Sequence, residues 1–159
     1  MEGLMDIRIS KLGTMRVACM EHIGPYNEIG GVFSWLWNYA KQRSLPVDIE
    51  KWLGIYWDDP SEVPADKLRS EACVTIGTDV EMSDEEGVTI RTLEGGNYVI
   101  GTHVGSYSGL GASWEEIWGN VMEKGQKHRN SPCFELHIKG GDDALPESEW
   151  VTELCIPVE

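Results

Sequence analysis

A single glutamate, Glu135, lies inside an otherwise apolar, strand-like segment, Cys133-Phe-Glu-Leu-His-Ile138. Side chains alternate between the two faces of a strand, so Cys133, Glu135 and His137 share one face. If the opposite face packs against helices, the face that carries Glu135 lies toward a cleft or toward solvent. A carboxylate among aromatic rings is partly desolvated, favours a cationic ligand and can act as a general base on water. Glu135 is therefore the leading candidate for a functional residue, and a solvent-facing strand residue is the alternative.

Aromatic side chains are the second candidate component of a binding site. The chain has seven Trp and five Tyr residues, and such rings stack on planar or cationic ligands. Trp37 and Trp118 lie centrally in apolar helical stripes, which favours core packing for both. Pocket and core are equally supported for three others, Trp35, Tyr56 and Trp150. The candidate ligand-binding residues are Trp35, Tyr56, Trp57, Tyr107, Trp114 and Trp150, together with Glu135 and His137.

Two glutamates and two histidines give weaker signals. Glu71 and Glu153 each precede a strand cysteine by two residues, and alternation favours a solvated sheet face over a second cleft carboxylate. His22 and His103 each stand at a strand-to-helix turn, where satisfying backbone groups is favoured over catalysis or metal binding. No Ser-His-Asp order, phosphate-binding glycine loop or metal-spaced cluster is present in the sequence. We expect no metal site and no cofactor.

Composition and charge narrow the class of protein. The chain has 27 acidic and 13 basic side chains, a formal charge of −14, so its surface repels nucleic acid and attracts cations or basic proteins. No apolar run approaches the roughly 20 residues of a membrane helix, and the start lacks the pattern of a signal peptide. The cysteines lie in separate apolar segments, which favours reduced core thiols. We expect a cytoplasmic protein that binds neither nucleic acid nor membrane directly.

The elements that position these residues recur in two halves. Residues 15–23 predict a strand that ends at a Gly-Pro turn, followed by an amphipathic helix that begins near Tyr26 and ends at Leu45-Pro46. Strands are predicted at 52–57 and 70–76. The apolar stripe of this helix comprises Ile29, Val32, Phe33, Leu36, Trp37 and Ala40, and that of a second helix comprises Trp114, Ile117, Trp118, Val121 and Met122.

An offset of 81 residues places His103-Val-Gly-Ser-Tyr107 on His22-Ile-Gly-Pro-Tyr26 and Trp114 on Phe33. The sequence therefore predicts an α+β fold of tandem duplicated βαββ units in one domain spanning 1–159. Repeat one covers about 12–77, a solvated acidic linker 78–87, and repeat two about 88–158. Neither half can cover its helix and sheet face alone, so we expect a pseudo-twofold pair with two helices flanking a central ligand cleft.

Several segments resemble the GyrI-like small-molecule-binding family, the effector-binding domain of AraC-type and multidrug-responsive regulators. The matching segments are Trp-Leu-Gly-Ile-Tyr-Trp-Asp-Asp-Pro at 52–60, Pro-Ala-Asp-Lys-Leu-Arg at 64–69, Gly-Gly-Asn-Tyr at 95–98 and Ser-Pro-Cys-Phe-Glu at 131–135. The resemblance implies a duplicated βαββ fold with a V-shaped cleft, and a pocket glutamate in the Phe-Glu segment, at Glu135. The resemblance is to a stand-alone member of the family. Fewer than a dozen residues precede the first predicted strand, so we expect no helix-turn-helix domain there.

Three functions are consistent with this resemblance. The first is a stand-alone module that captures amphipathic or cationic aromatic compounds. The second is a cyclopropanoid hydrolase of DNA-alkylating natural products, in which Glu135 activates water or stabilises positive charge while Tyr107, Tyr56 or Trp57 orients the substrate. The third is a DNA gyrase inhibitor-like interaction, in which the acidic surface meets DNA gyrase or another basic protein. The ligand and the oligomeric state do not follow from the sequence.

Overall fold

A computed structural model describes residues 5–43, 47–77, 81, 83–139 and 144–159, with the backbone alone for 47–51. These residues form two compact units. The first unit is Thr14–Glu94, and the second unit is Met1–Gly13 together with Gly95–Glu159. The elements in chain order are β1 Asp6–Leu12, β2 Met15–Ile23, α1 Gly30–Gln42, β3 Val47–Tyr56, β4 Arg69–Ile76, β5 Val88–Leu93, β6 Gly96–Val104, α2 Leu110–Glu123, β7 Phe134–Lys139 and β8 Val151–Pro157.

The first unit is a four-stranded antiparallel sheet in the order β3-β4-β2-β5 with α1 on one face. Strand β2 ends where Gly24 takes a φ of 134°, a conformation that glycine adopts without steric cost. Alternate residues of β4 then face the helix and the opposite side. The core between helix and sheet is formed by Ala18, Ile29, Leu36, Tyr39, Ala72, Val74, Ile76 and Val88.

The second unit repeats this order with other strands. Its sheet runs β1-β6-β8-β7, all antiparallel, and α2 covers one face. The helix ends at Glu123 with Lys124 as its C-cap, and Gly125 follows with a φ of 65°, the left-handed conformation that glycine adopts after a helix. The core beneath the helix is formed by Val99, Ile117, Val121, Leu154, Ile156 and Val158.

Each unit therefore has a strand, a short 3₁₀ turn, a helix and two further strands in succession, completed by one edge strand. The prediction of an α+β protein is confirmed. The edge strand of each unit comes from a separate part of the chain: β1 pairs with β6, and β5 pairs with β2. The compact units consequently have other bounds than the stretches 12–77 and 88–158.

The helices turn somewhat different faces to their sheets than the sequence predicts. Trp37 is 39% exposed and Met122 is 77% exposed, so the prediction of core positions is wrong for both. Tyr39, placed beside the stripe by the sequence, is buried with Leu36 and Ala40. The contact face of α1 is centred on these three residues, which leaves Trp37 at its edge against the Trp52 ring, 5.6 Å away between centroids.

The acidic segment before β5 contacts α1 where it is described. Arg43 pairs with Glu85 and Glu86 at 2.9 Å each, and the Tyr39 hydroxyl donates to Glu85. This part of the segment is therefore anchored rather than freely solvated. Three parts of the chain lie outside the described residues: residues 78–80 and 82 of the predicted linker, the predicted helix end at Leu45-Pro46, and residues 140–143. Within the described residues, no helix has the length and apolarity that crossing a membrane requires.

Candidate functional site

Glu135 faces helix α2. It pairs across β7 and β8 with Leu154, which belongs to the core under the helix, and Cys133 packs against the same core. The indole Nε1 of Trp114, on α2, donates a hydrogen bond of 2.6 Å to Glu135 Oε2. The sequence left open which face of β7 packs against the helix, because alternation determines which residues share a face but not which face is covered; the face of Glu135 and Cys133 is the one that meets α2. Only 5% of Glu135 is exposed.

His137 and two aromatic rings adjoin this carboxylate. His137 Nε2 lies 3.8 Å from Glu135 Oε1. The Tyr107 ring stacks on the His137 imidazole with centroids 5.7 Å apart, and it also contacts the Trp150 ring at 4.8 Å. Trp150 is held in place by its indole N–H, which donates to the Leu145 carbonyl. Contacts within the second unit thus connect five candidate residues in an anionic and aromatic cluster, the Glu135 cluster: Tyr107, Trp114, Glu135, His137 and Trp150.

A row of polar residues lies next to this cluster, and the sequence did not predict that these residues lie together. Thr152 is paired in register with both His137 and His103, and its buried Oγ1 has no hydrogen-bond partner among the described residues. His103 Nε2 lies 2.9 Å from the Ser106 carbonyl and therefore donates a hydrogen bond to it, and Nδ1 lies within hydrogen-bond distance of the Ser113 hydroxyl, at 2.7 Å. His103 fixes its turn, as the sequence predicts. The contact with Ser113 has no local signal in the sequence.

The charge around Glu135 differs from that around the other strand glutamates. Glu71 accepts from Arg91 at 2.7 Å, and Glu153 accepts from Arg8 at 2.6 Å. These hydrogen bonds raise the pKa of each arginine. Among the described residues, the only ion-pair partner within 4.0 Å of Glu135 is His137. Glu135 is therefore a buried carboxylate without an arginine or lysine partner in this part of the chain.

The remaining predicted site residues belong to the first unit. Trp57 donates its indole N–H to Glu71 at 2.7 Å, and the guanidinium of Arg91 lies over its ring. Glu71 is 3% exposed, so the prediction of a solvated sheet face is wrong for it: strand β4 is buried on both faces. Trp35 stacks on Tyr39 and Tyr56 packs edge-on against Tyr26, each within the first unit.

The strand register shows which positions of the first unit correspond to the Glu135 cluster. His103, Thr152 and His137 lie side by side on β6, β8 and β7, and Glu135 lies two residues before His137 on β7. In the first unit His22, Ser70 and Tyr56 form the matching row, and Gly54 stands where Glu135 would be. The Tyr56 hydroxyl occupies the space of the absent side chain, 2.7 Å from an ideal Cβ at Gly54.

The chemistry available at the Glu135 cluster is that of a desolvated anion beside aromatic surface. Such a group can bind a cation, or accept a proton from water with His137 as a neighbouring acid or base. Among the residues that the structure describes, no three His, Cys, Asp or Glu side chains converge as a metal site.

Comparison with known proteins decides the family. The model of the GyrI-like small-molecule-binding domain matches residues 5–159. The chain belongs to the GyrI-like family. The resemblance inferred from the sequence segments is thereby confirmed, and effector-binding domains of regulators are among its structural neighbours.

Curated GyrI-like relatives match over nearly their full length. The DNA gyrase inhibitor of Salmonella typhimurium is 28% identical over 160 residues, covering 98% of this chain and 99% of the relative. The DNA gyrase inhibitor of Klebsiella pneumoniae is 26% identical over 163 residues, with 98% of both chains covered. These names describe the activity of the relatives.

Solved structures support the same fold. The EcmrR C-terminal domain superposes with a TM-score of 0.80 at 18% identity, covering 98% of each chain. SAV2435 bound to tetraphenylphosphonium has a TM-score of 0.62 at 16% identity, covering 98% of this chain and 94% of that one. A hydrolase from Listeria innocua has a TM-score of 0.61 at 14% identity, covering 96% and 91%. At these identities the likeness establishes the fold alone.

Proposed function

We propose that this GyrI-like protein captures amphipathic cationic aromatic compounds, with the Glu135 carboxylate as the anionic contact. One observation carries the proposal: Glu135 is 5% exposed, yet within the described residues no arginine or lysine neutralises it. Glu71 and Glu153 each have an arginine for that purpose. A buried charge without compensation costs stability, and a cationic ligand would supply the compensation.

The surrounding rings suit the apolar part of such a ligand. Tyr107 is 41% exposed and lies between the His137 and Trp150 rings, so one side of the cluster offers aromatic surface to a planar cation. Aromatic faces attract cations, most strongly when both are desolvated. The Trp114 indole holds Oε2 of Glu135, which leaves Oε1 directed to His137 and available to a ligand.

The relatives support the ligand class without defining it. SAV2435, a fold-level neighbour, binds tetraphenylphosphonium, which is an amphipathic aromatic cation. The family itself is described as small-molecule binding. Tetraphenylphosphonium is therefore the first probe for this protein.

The test is calorimetric titration of tetraphenylphosphonium into the wild type, Glu135→Gln and Glu153→Gln. Glu135→Gln keeps the shape and the acceptor for Trp114 but removes the charge, so we expect binding about 10- to 100-fold weaker, the effect of losing one close charge pair in a partly desolvated site. Glu153 is paired with Arg8 in the same unit, so Glu153→Gln should change affinity less than about threefold.

A neutral aromatic probe separates charge from shape. Triphenylphosphine oxide should bind Glu135→Gln no more weakly than the wild type, because the probe has no positive charge and its oxygen accepts hydrogen bonds. If tetraphenylphosphonium binds Glu135→Gln as tightly as the wild type, Glu135 is not the anionic contact and the proposal fails.

A second candidate is hydrolysis of cyclopropane-bearing DNA alkylators. The 3.8 Å approach of His137 to Glu135 favours it, because a paired carboxylate and imidazole can together remove and return a proton of water. Tyr107 would orient the substrate through its exposed ring. Mass spectrometry of wild type, Glu135→Gln and Tyr107→Phe with such a compound distinguishes the outcomes: catalytic formation of the water adduct requires the wild-type carboxylate, whereas a binder leaves the compound intact.

A third candidate is an interaction with DNA gyrase. Full-length relatives named DNA gyrase inhibitor and the charge of −14 favour it, because an acidic surface can compete with DNA for a basic partner. Supercoiling by purified gyrase should then slow in the presence of this protein, and the inhibition should weaken above physiological salt. Unchanged supercoiling at low salt would exclude this role.

A further inference from the structure

Two cysteine thiols of the first unit lie in direct contact. Cys19 on β2 and Cys73 on β4 stand opposite each other in the antiparallel register, and their Sγ atoms are 2.7 Å apart. Both residues are almost fully buried and both are free thiols. Two sulfur atoms at this distance are closer than ordinary van der Waals contact and need to approach only slightly further to reach a bond of about 2.05 Å.

We propose that Cys19 and Cys73 form a reversible cross-strand disulfide in the folded protein. Residues directly opposite in antiparallel strands have Cβ atoms about 4.5–5.5 Å apart, and a disulfide requires about 3.5–4.5 Å. The two strands therefore need to close by less than about 1 Å. The register between β2 and β4 is unbroken from Arg16 to Ile23, so Cys19 and Cys73 stand directly opposite each other.

The reaction balances with a two-electron oxidant. The two thiols lose two protons and two electrons and form one S–S bond, while hydrogen peroxide becomes two water molecules or diamide becomes the hydrazine. Attack requires a thiolate. Burial and the neighbouring Cys19 thiol raise the pKa of Cys73, so the thiolate is scarce at neutral pH. The rate should therefore rise about tenfold for each pH unit between 7 and 9.

The cross-link would join the two central strands of the first unit beside the Glu71 cluster, which comprises Trp57, Glu71 and Arg91. Cys73 lies two residues after Glu71 on the same face of β4, opposite the face that packs on α1. Reducing conditions keep the dithiol, and oxidising conditions fasten β2 to β4. The disulfide thus represents a modification site separate from the Glu135 cluster in the other unit.

The second unit supplies an internal control. Cys155 occupies the place on β8 that Cys73 has on β4, but Ile100 stands opposite it. Cys155 is buried like Cys73 and has no thiol across the strand pair. Oxidation that depends on the pairing of thiols should therefore spare Cys155, whereas oxidation that depends on burial alone should not distinguish the two.

The test is diamide treatment of the native protein at pH 8, followed by unfolding, alkylation of the remaining thiols and peptide mass spectrometry. We expect two alkylated thiols, Cys133 and Cys155, and a peptide pair linked between Cys19 and Cys73. Dithiothreitol should restore four thiols. The midpoint of thermal unfolding should rise by about 10 °C on oxidation, because the link closes a long loop of the unfolded chain.

Three variants make the outcome decisive. Cys19→Ser and Cys73→Ser should abolish the link and the thermal shift, and Cys155→Ser should leave both unchanged. Four alkylated thiols after diamide, or links in which Cys133 or Cys155 appears as often as Cys19, would overturn the proposal. Protein refolded in a glutathione redox buffer gives the same readout without requiring the oxidant to enter the folded core.

Discussion

The two units carry chemically different side chains at matching positions of their sheets. In the second unit Glu135 and His137 lie next to each other on one face of β7, and Glu135 accepts a hydrogen bond from Trp114. In the first unit Gly54 and Tyr56 stand at the matching steps of β3. One unit therefore presents a buried anion and the other fills the space with a phenol ring.

The two buried carboxylates, Glu71 and Glu135, differ in their charged partners. Glu71 is ion-paired with Arg91 and hydrogen-bonded by Trp57, whereas Glu135 is hydrogen-bonded by Trp114 and has no arginine partner among the described residues. Compensation by a fixed arginine suits a structural role, since removing Arg91 would leave the buried Glu71 charge without its partner. The difference supports the proposal that a cationic ligand contacts Glu135.

The largest expected effect tests the structural role of the Glu71 ion pair. Arg91→Ala should lower the free energy of unfolding by about 3 kcal/mol, because Glu71 would remain charged and buried. Arg8→Ala is the matched control, since Glu153 is more exposed and the loss should be about 1 kcal/mol. Urea unfolding measures both. Equal losses of unfolding free energy in the two variants would mean that the burial of Glu71 does not determine the cost of removing its arginine.

The second effect tests the packing at Gly54. Gly54→Ala should destabilise the protein by about 2 kcal/mol, because the new Cβ would lie 2.7 Å from the Tyr56 hydroxyl. Gly119→Ala on α2 is the control: nothing lies within 4 Å of its Cβ position, and alanine favours the helix by about 0.5–1 kcal/mol. A neutral Gly54→Ala would show that Tyr56 moves aside and that the first unit could hold a similar site.

The third prediction is that replacing the two buried carboxylates changes the free energy of unfolding in opposite directions. Glu135→Gln should raise the free energy of unfolding by about 1 kcal/mol, because the amide still accepts from Trp114 and an uncompensated charge is gone. Glu71→Gln should lower it, because Arg91 loses its partner. Denaturant unfolding of both variants decides the matter, and a loss at Glu135 equal to that at Glu71 would assign Glu135 a structural role.

The smallest effect concerns the histidine that fixes each turn. Ser113→Ala should cost about 1 kcal/mol, because His103 Nδ1 would lose its hydrogen bond while the bond to Ser106 persists. His22 makes the corresponding bond to the Pro25 carbonyl, and Val32 stands where Ser113 would be. Nitrogen NMR should report the Nε2 proton on His103 in both wild type and variant. A change of tautomer would contradict the assigned hydrogen bonds.

Local patterns predicted the elements well and their buried faces less well. The strand 15–23 was predicted with the bounds that the structure has, because its β-compatible run ends there at Gly24. Alternation also grouped Glu135 with His137 correctly. It could not say that this face meets α2, nor that β4 is buried on both faces and takes Glu71 with it, because those depend on neighbours distant in sequence.

The sequence by itself determined the order of strands and helices, the family and the candidate glutamate, since period, turn residues and local motifs carry that information. Tertiary structure decided which carboxylates are compensated. Arg91 reaches Glu71 across 20 residues and Arg8 reaches Glu153 across 145. These pairs depend on the strand order, in which β5 joins β2 and β1 joins β6. Electrostatic energy falls with distance in space, not along the chain, so the folded sheet and not the sequence determines that Glu135 has no arginine partner among the described residues.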